Sequence, residues 1–170
     1  MNMNFRKLLT SQKGFTFIEL ILYISIVAIM LNTLVPFAWN IINISAKSST
    51  QQEVYSAARY LSERMKKEIR EASSVTACDA TTLTLTNVDS STTTFSFNSN
   101  QITITKSILI PSPVRLHSNN TSVTDFTCTN YTGTNTDNVQ INFTITDNIN
   151  STRQEYIETI NMQFAAETRN

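Results

Sequence analysis

The chain has 170 residues and a formal net charge of zero, with 13 Lys and Arg against 13 Asp and Glu. That length suits one modest domain with an added element, not two full domains. The neutral balance excludes bulk attraction to a polyanion as the basis of function. Only 2 Gly and 3 Pro occur, so the turns must be built from Asn, Asp and Ser, which bond locally to the backbone.

Charge is unevenly placed along the chain. Arg6, Lys7 and Lys13 precede the first acidic residue, Glu19, which is the only charged side chain between Phe15 and Ala46. The apolar stretch from Phe15 to Leu31 continues through Leu34, Val35, Phe37, Ala38, Trp39, Ile41, Ile42 and Ile44. A membrane span needs roughly 20 such residues. A secretory signal peptide fits poorly, because the stretch is too long for its apolar region and Ile44-Ser45-Ala46 is a loose match to a cleavage site. A plain anchor fits the length, with the basic leader cytoplasmic and the remainder exported. Neither reading accounts for Glu19, since an ionised side chain in hydrocarbon costs about 2.5–3.5 kcal/mol and usually marks a function with a partner.

Lys13-Gly14-Phe15-Thr16-Phe17-Ile18-Glu19 strongly resembles the cleavage motif of type IV prepilins and pseudopilins. The resemblance covers about residues 7–40 and implies a membrane peptidase that cuts after Gly14 and methylates the new amine of Phe15. It makes Glu19 the fifth mature residue, the carboxylate that registers a subunit against the N-terminal amine of its neighbour. A buried ion is tolerable when an opposite charge reaches it, and N-methylation keeps that charge. Phe17 replaces the commoner leucine, and Pro36 falls where major pilins often carry a helix-loosening proline. The organisation that follows is a leader over 1–14, a transmembrane and fibre-core helix over 15–44, an amphipathic continuation over 45–74 and an exported β-rich domain over 75–170.

Val54, Ala58, Leu61, Met65, Ile69 and Ala72 recur at helical spacing, which predicts an apolar stripe facing a sheet. Glu53, Arg59, Glu63, Arg64, Lys66, Lys67, Glu68, Arg70 and Glu71 read as the solvated face, with Glu63–Lys67 as an i,i+4 pair. A helix from Phe15 to Ala72 would be about 87 Å long, so its first half needs lipid or other helices around it. Pro36 predicts a kink, and Asn40–Ser49 is the weak point for a break. The stretch Arg59–Ala72 also resembles, less specifically, the helix end of larger minor pseudopilins of the J/W type.

Beyond Ala72 the period changes to two. Leu83 and Leu85, Phe95 and Phe97, then Ile102 and Ile104 predict antiparallel strands with turns at Asn87–Ser91 and Asn98–Asn100. Pro111 and Pro113 make Ile108–Leu116 an edge or irregular strand. Further strands are predicted at Thr124–Thr129, around Ile141, Phe143 and Ile145, and over Tyr156–Phe164, with Tyr156, Ile160, Met162 and Phe164 inward. One long helix followed by strands is α+β, and it resembles the pilin fold, a helix packed on an antiparallel sheet. Cys78 and Cys128 are the only cysteines; on the exported side they either form a disulfide or remain two buried thiols.

No glycine-rich phosphate loop, serine elbow or metal-ligand cluster stands in the sequence, so no catalysis, cofactor or metal is expected. His117 reads as a surface residue, and the Asn-Xaa-Thr sequences at Asn142 and Asn150 are the chance product of composition. The expected function is a structural subunit, of the minor kind, in a type IV pilus or type II secretion-like pseudopilus. Its expected partners are the prepilin peptidase, other pilin subunits, the inner-membrane assembly platform and the membrane; the sequence leaves any nucleic-acid partner open. The alternative is a permanently membrane-anchored extracytoplasmic binding domain with no fibre role, left uncut at Gly14.

Overall fold

The computed structural model describes residues 14–132, 136–148 and 157–169. Arg6, Lys7, Lys13, Tyr156 and the Asn150-Ser151-Thr152 sequence lie outside the described residues. The chain divides into two compact units, Met1–Ile42 and Asn43–Asn170, and the helix α1 (Phe17–Glu71) contributes to both.

In the first unit, the large apolar side chains from Phe15 through Trp39 to Ile42 are exposed on all sides of α1. This helix is long and apolar enough to cross a membrane, and its most apolar stretch is not buried within the chain. A helix apolar all round demands an apolar surrounding. Its two aliphatic hydroxyls bond within the helix, as a lipid solvent would require: Ser25 Oγ donates to the Ile21 carbonyl at 2.8 Å and Thr33 Oγ1 to the Met30 carbonyl at 2.9 Å. Pro36 lies inside α1 without ending it, and no break occurs at Asn40–Ser49.

In the second unit, the remainder of α1 is followed by eight strands: β1 (Ala72–Cys78), β2 (Thr82–Asn87), β3 (Thr92–Asn98), β4 (Gln101–Lys106), β5 (Ile110–Arg115), β6 (Thr121–Thr132), β7 (Asp137–Asp147) and β8 (Thr159–Glu167). The α+β class read from the sequence is the observed one, a long helix packed on antiparallel sheet. The expected stripe Val54, Ala58, Leu61, Met65, Ile69 and Ala72 is buried throughout. It shares one core with Leu83, Leu85, Phe95, Ile102 and Ile104 of the first strands and Val123, Val139, Ile141, Phe143 and Ile145 of the last. Buried positions alternate along β2, β4 and β7, as the period of two dictates.

Several details differ from the expectation. There are two sheets, with orders β1-β2-β3-β4-β5 and β6-β7-β8, not one. The chain leaves the edge strand β5 through Leu116–Asn120 and starts a new sheet, and β5 carries Pro111 and Pro113, which suit an edge. β1 follows the helix directly; it was not expected, because Ser73, Ser74 and Thr76 give it no apolar alternation. β6 and β8 extend beyond the expected Thr124–Thr129 and Phe164 limits. The hairpin β3–β4 turns on Ser99 and Asn100, both at positive φ (50° and 60°), the conformation Asn tolerates in place of glycine.

The helix charges are also less solvated than expected. Glu68 is buried, 2.9 Å from Arg64 Nη2 and 2.7 Å from Lys106 Nζ. Glu63 pairs with Lys66 at 3.2 Å, not with Lys67, whose partner is Glu71 at 3.8 Å. Glu53 accepts from Ser118 Oγ at 2.8 Å and Asn120 Nδ2 at 3.0 Å, tying the helix to the connection between the sheets.

Candidate functional site

The candidate site is the start of α1. Gly14, Phe15 and Thr16 precede the helix and are exposed. A side chain at Gly14 would meet no atom within 4 Å, so the Gly14–Phe15 bond is unobstructed by the described residues. Phe15 projects outward and its ring meets Tyr23 edge-on, with centroids 6.1 Å apart.

Thr16 caps the helix. Its carbonyl accepts from the Leu20 N–H at 3.2 Å and its Oγ1 from the Glu19 N–H at 3.4 Å. The order Thr16-Phe17-Ile18-Glu19 has the residue types of a capping box, a helix-start signal that the sequence carries beside the Gly14–Phe15 junction. Glu19 therefore stands in the first turn, where free N–H groups and the helix dipole favour a negative charge. Its side chain is exposed and has no ion-pair partner among the described residues. The arrangement offers an accessible peptide bond outside the helix. Four residues further on, a carboxylate is free to meet a cation.

The other residues singled out lie elsewhere. Pro36 is inside α1, away from this junction in sequence. Cys78 and Cys128 form a disulfide in the second unit, joining β1 to β6. Among the described residues no group of three or more His, Cys, Asp or Glu side chains is placed to hold a metal ion. Asp79 and Asp89 have carboxyls held below the usual range by bonds within their turns, from the backbone and hydroxyl of Thr81 and from the hydroxyl and backbone of Ser91 respectively.

His117, expected at the surface, is buried at the connection between the sheets. Its Nε2 accepts from the Ile102 N–H of β4 at 3.3 Å, which places the proton of the neutral ring on Nδ1, facing Thr121 Oγ1 at 3.1 Å. Arg115 Nη2 lies 3.2 Å from Nδ1 and donates to the Thr121 carbonyl at 2.7 Å. Burial first, and then the Arg115 charge, push the His117 imidazole below its ordinary range. These contacts tie the connection between the sheets to Ile102 of β4 and Thr121 of β6.

No family model, curated protein or solved structure matches the chain.

Proposed function

We propose that this chain is a structural subunit, of the minor kind, of a type IV pilus or type II secretion-like pseudopilus. A prepilin peptidase cuts after Gly14 and methylates Phe15. The helix from Phe15 holds the subunit in the inner membrane, with the leader cytoplasmic and the β-rich unit outside, until the assembly platform transfers it into the fibre. There Glu19 meets the amine of a neighbouring subunit and helix burial replaces lipid. The reading assigns the chain no reaction, cofactor or metal.

The observation that carries this reading is the conjunction at the helix start. An exposed Gly14–Phe15 junction is followed by an apolar helix whose first 29 residues contain one charge, Glu19, in the first turn. A lone carboxylate there is costly in hydrocarbon unless a cation reaches it. Cleavage supplies such a cation on every subunit.

The second reading, a permanent anchor, is favoured by the place of Glu19 in the first turn of α1, where free N–H groups and the helix dipole offset a negative charge without any partner. Glu19→Ala separates the two. As a pilin subunit, the variant is cut after Gly14 but is missing from the sheared fibre fraction. A variant that enters fibres at the normal level, or a wild-type chain found only uncut in membranes, contradicts the proposal.

A further inference from the structure

Between Glu19 and Asn40, the side chains of α1 that carry a nitrogen or oxygen are Tyr23, Ser25, Asn32, Thr33 and Trp39. Trp39 adjoins Asn40, and Tyr23 stands about 6 Å along the helix from Glu19, so both rings sit near an end of the span, where headgroups receive their polar tips. Ser25 and Thr33 bond to carbonyls of their own helix. Asn32 makes no side-chain hydrogen bond among the described residues. It lies about 20 Å along the helix from Glu19 and about 12 Å from Asn40, well inside a hydrocarbon layer of about 30 Å.

A second polar group stands at the same level. Pro36 has no N–H, and the carbonyl that an N–H at that position would serve is that of Asn32. The adjacent Thr33 hydroxyl turns to the Met30 carbonyl instead. Asn32 thus brings to the membrane interior an amide that both donates and accepts, and a main-chain carbonyl without its usual donor. Lipid offers partners to neither.

Ser25, Ala28, Asn32, Val35 and Trp39 recur at intervals of three and four residues and share one stripe about 80° wide. Ser25 and Ala28 are small enough for two backbones to approach closely. Glu19 lies about 140° round the helix from Asn32, so a partner on this stripe does not bring two Glu19 carboxylates together. The amide itself selects the partner. Every copy enters the membrane in one orientation, so two α1 helices run parallel with Asn32 at one depth. An amide is its own complement, and a single Asn in the seam of a parallel helix pair fixes register and strand number.

We infer that α1 pairs in the membrane with α1 of a second copy along the Ser25–Trp39 stripe, with the two Asn32 amides hydrogen-bonded to each other. The two surfaces are the same, so the pair closes at two copies. The inference requires only that α1 spans the membrane. In the fibre proposed above, Glu19 meets the amine of a neighbour four residues out of step, about 6 Å along the helix. The level Asn32 pair therefore belongs to chains still in the membrane and opens before they are assembled.

The test uses the full-length chain in cells that hold the prepilin peptidase but lack the assembly platform. Single cysteines are introduced as Ala28→Cys on the stripe and Leu34→Cys on the far side of α1, and the membranes are treated with a mild oxidant. Cys78 and Cys128 are already bonded to each other, so the unaltered chain stays monomeric. Ala28→Cys is expected to give a species of twice the chain mass, and Leu34→Cys to give monomer. Adding Asn32→Leu lowers the dimer about tenfold, whereas Asn32→Gln, which keeps an amide, retains it. The inference is overturned if Ala28→Cys stays monomeric, if Leu34→Cys links equally well, or if Asn32→Leu leaves the dimer unchanged. An adduct of any other mass also overturns it and makes the partner a different membrane protein. The N-terminus is read on the same samples. A dimer of chains that begin at Met1 supports the pairing and contradicts the fibre reading; chains cut after Gly14 that give no dimer overturn the pairing alone.

Discussion

Cys78 on β1 and Cys128 on β6 are bonded, with Cα atoms 5.3 Å apart, so one covalent link joins the edge strands of the two sheets. Beside it, the Val75 N–H of β1 donates to Asp137 Oδ2 at the start of β7 at 2.9 Å, and the Arg169 N–H reaches the Ala72 carbonyl at 3.0 Å. The sheets are thus tied at the point where the helix gives way to strand.

Removing the disulfide loosens that tie. The bridge spans 50 residues, and closing such a loop is worth about 4 kcal/mol under the chain-entropy relation. Cys78→Ser with Cys128→Ser is expected to lower the urea midpoint of the β-rich unit, followed by far-ultraviolet dichroism of the full chain in detergent. An unchanged midpoint would mean that the non-covalent contacts alone fix the sheet pair.

His117 makes stability depend on pH in the acid direction. The folded state holds its imidazole below the ordinary value, so the unfolded chain takes up the proton first as pH falls. Its contribution is complete above the unfolded value of about 6.5 and declines as pH drops from there toward the depressed folded value. Protonation at Nε2 also breaks the bond from the Ile102 N–H. The urea midpoint should fall between pH 7.5 and pH 5, and His117→Asn should flatten that slope. A slope retained in the variant would place the titration elsewhere.

Glu68 is the one buried carboxylate among the described helix residues, with 2 % of its side chain exposed, while Arg64 and Lys106 are 29 % and 18 % exposed. Breaking a buried pair by removing one partner costs about 3–5 kcal/mol. Lys106→Ala takes away the closer contact and leaves Glu68 with Arg64, so a loss of about 2 kcal/mol is expected, below that range because Arg64 remains. Lys67→Ala, on the exposed pair with Glu71, should change stability by less than about 0.5 kcal/mol. Equal effects from the two substitutions would contradict the burial of Glu68.

Much of this architecture is legible from periodicity. The stripe from Val54 to Ala72 and the alternation through Leu83, Phe95, Ile102 and Ile141 name core positions, because the spacing that marks each of them lies within its own element. What was not legible depends on distant partners. Glu68 sits in a run of charges and is distinguished only by Lys106 on β4. His117 is buried by Ile102 and Thr121, which no local pattern brings to it. β1 is polar and is held by pairing with β2, the disulfide and Asp137, so its own residues carry little strand signal. At the candidate site, Gly14, Phe15 and Glu19 were legible as a motif. The Thr16 cap is equally present in the sequence, as a threonine three residues before Glu19 at the start of the apolar run.

The central claim is that the chain is cut between Gly14 and Phe15 and then methylated. It is tested most directly by the intact mass and N-terminal peptide of the protein from cells with and without the prepilin peptidase. The account predicts a mature chain that begins at methylated Phe15 and disappears when the peptidase is absent. A chain that still begins at Met1 in peptidase-containing cells would contradict it and leave a membrane-anchored domain.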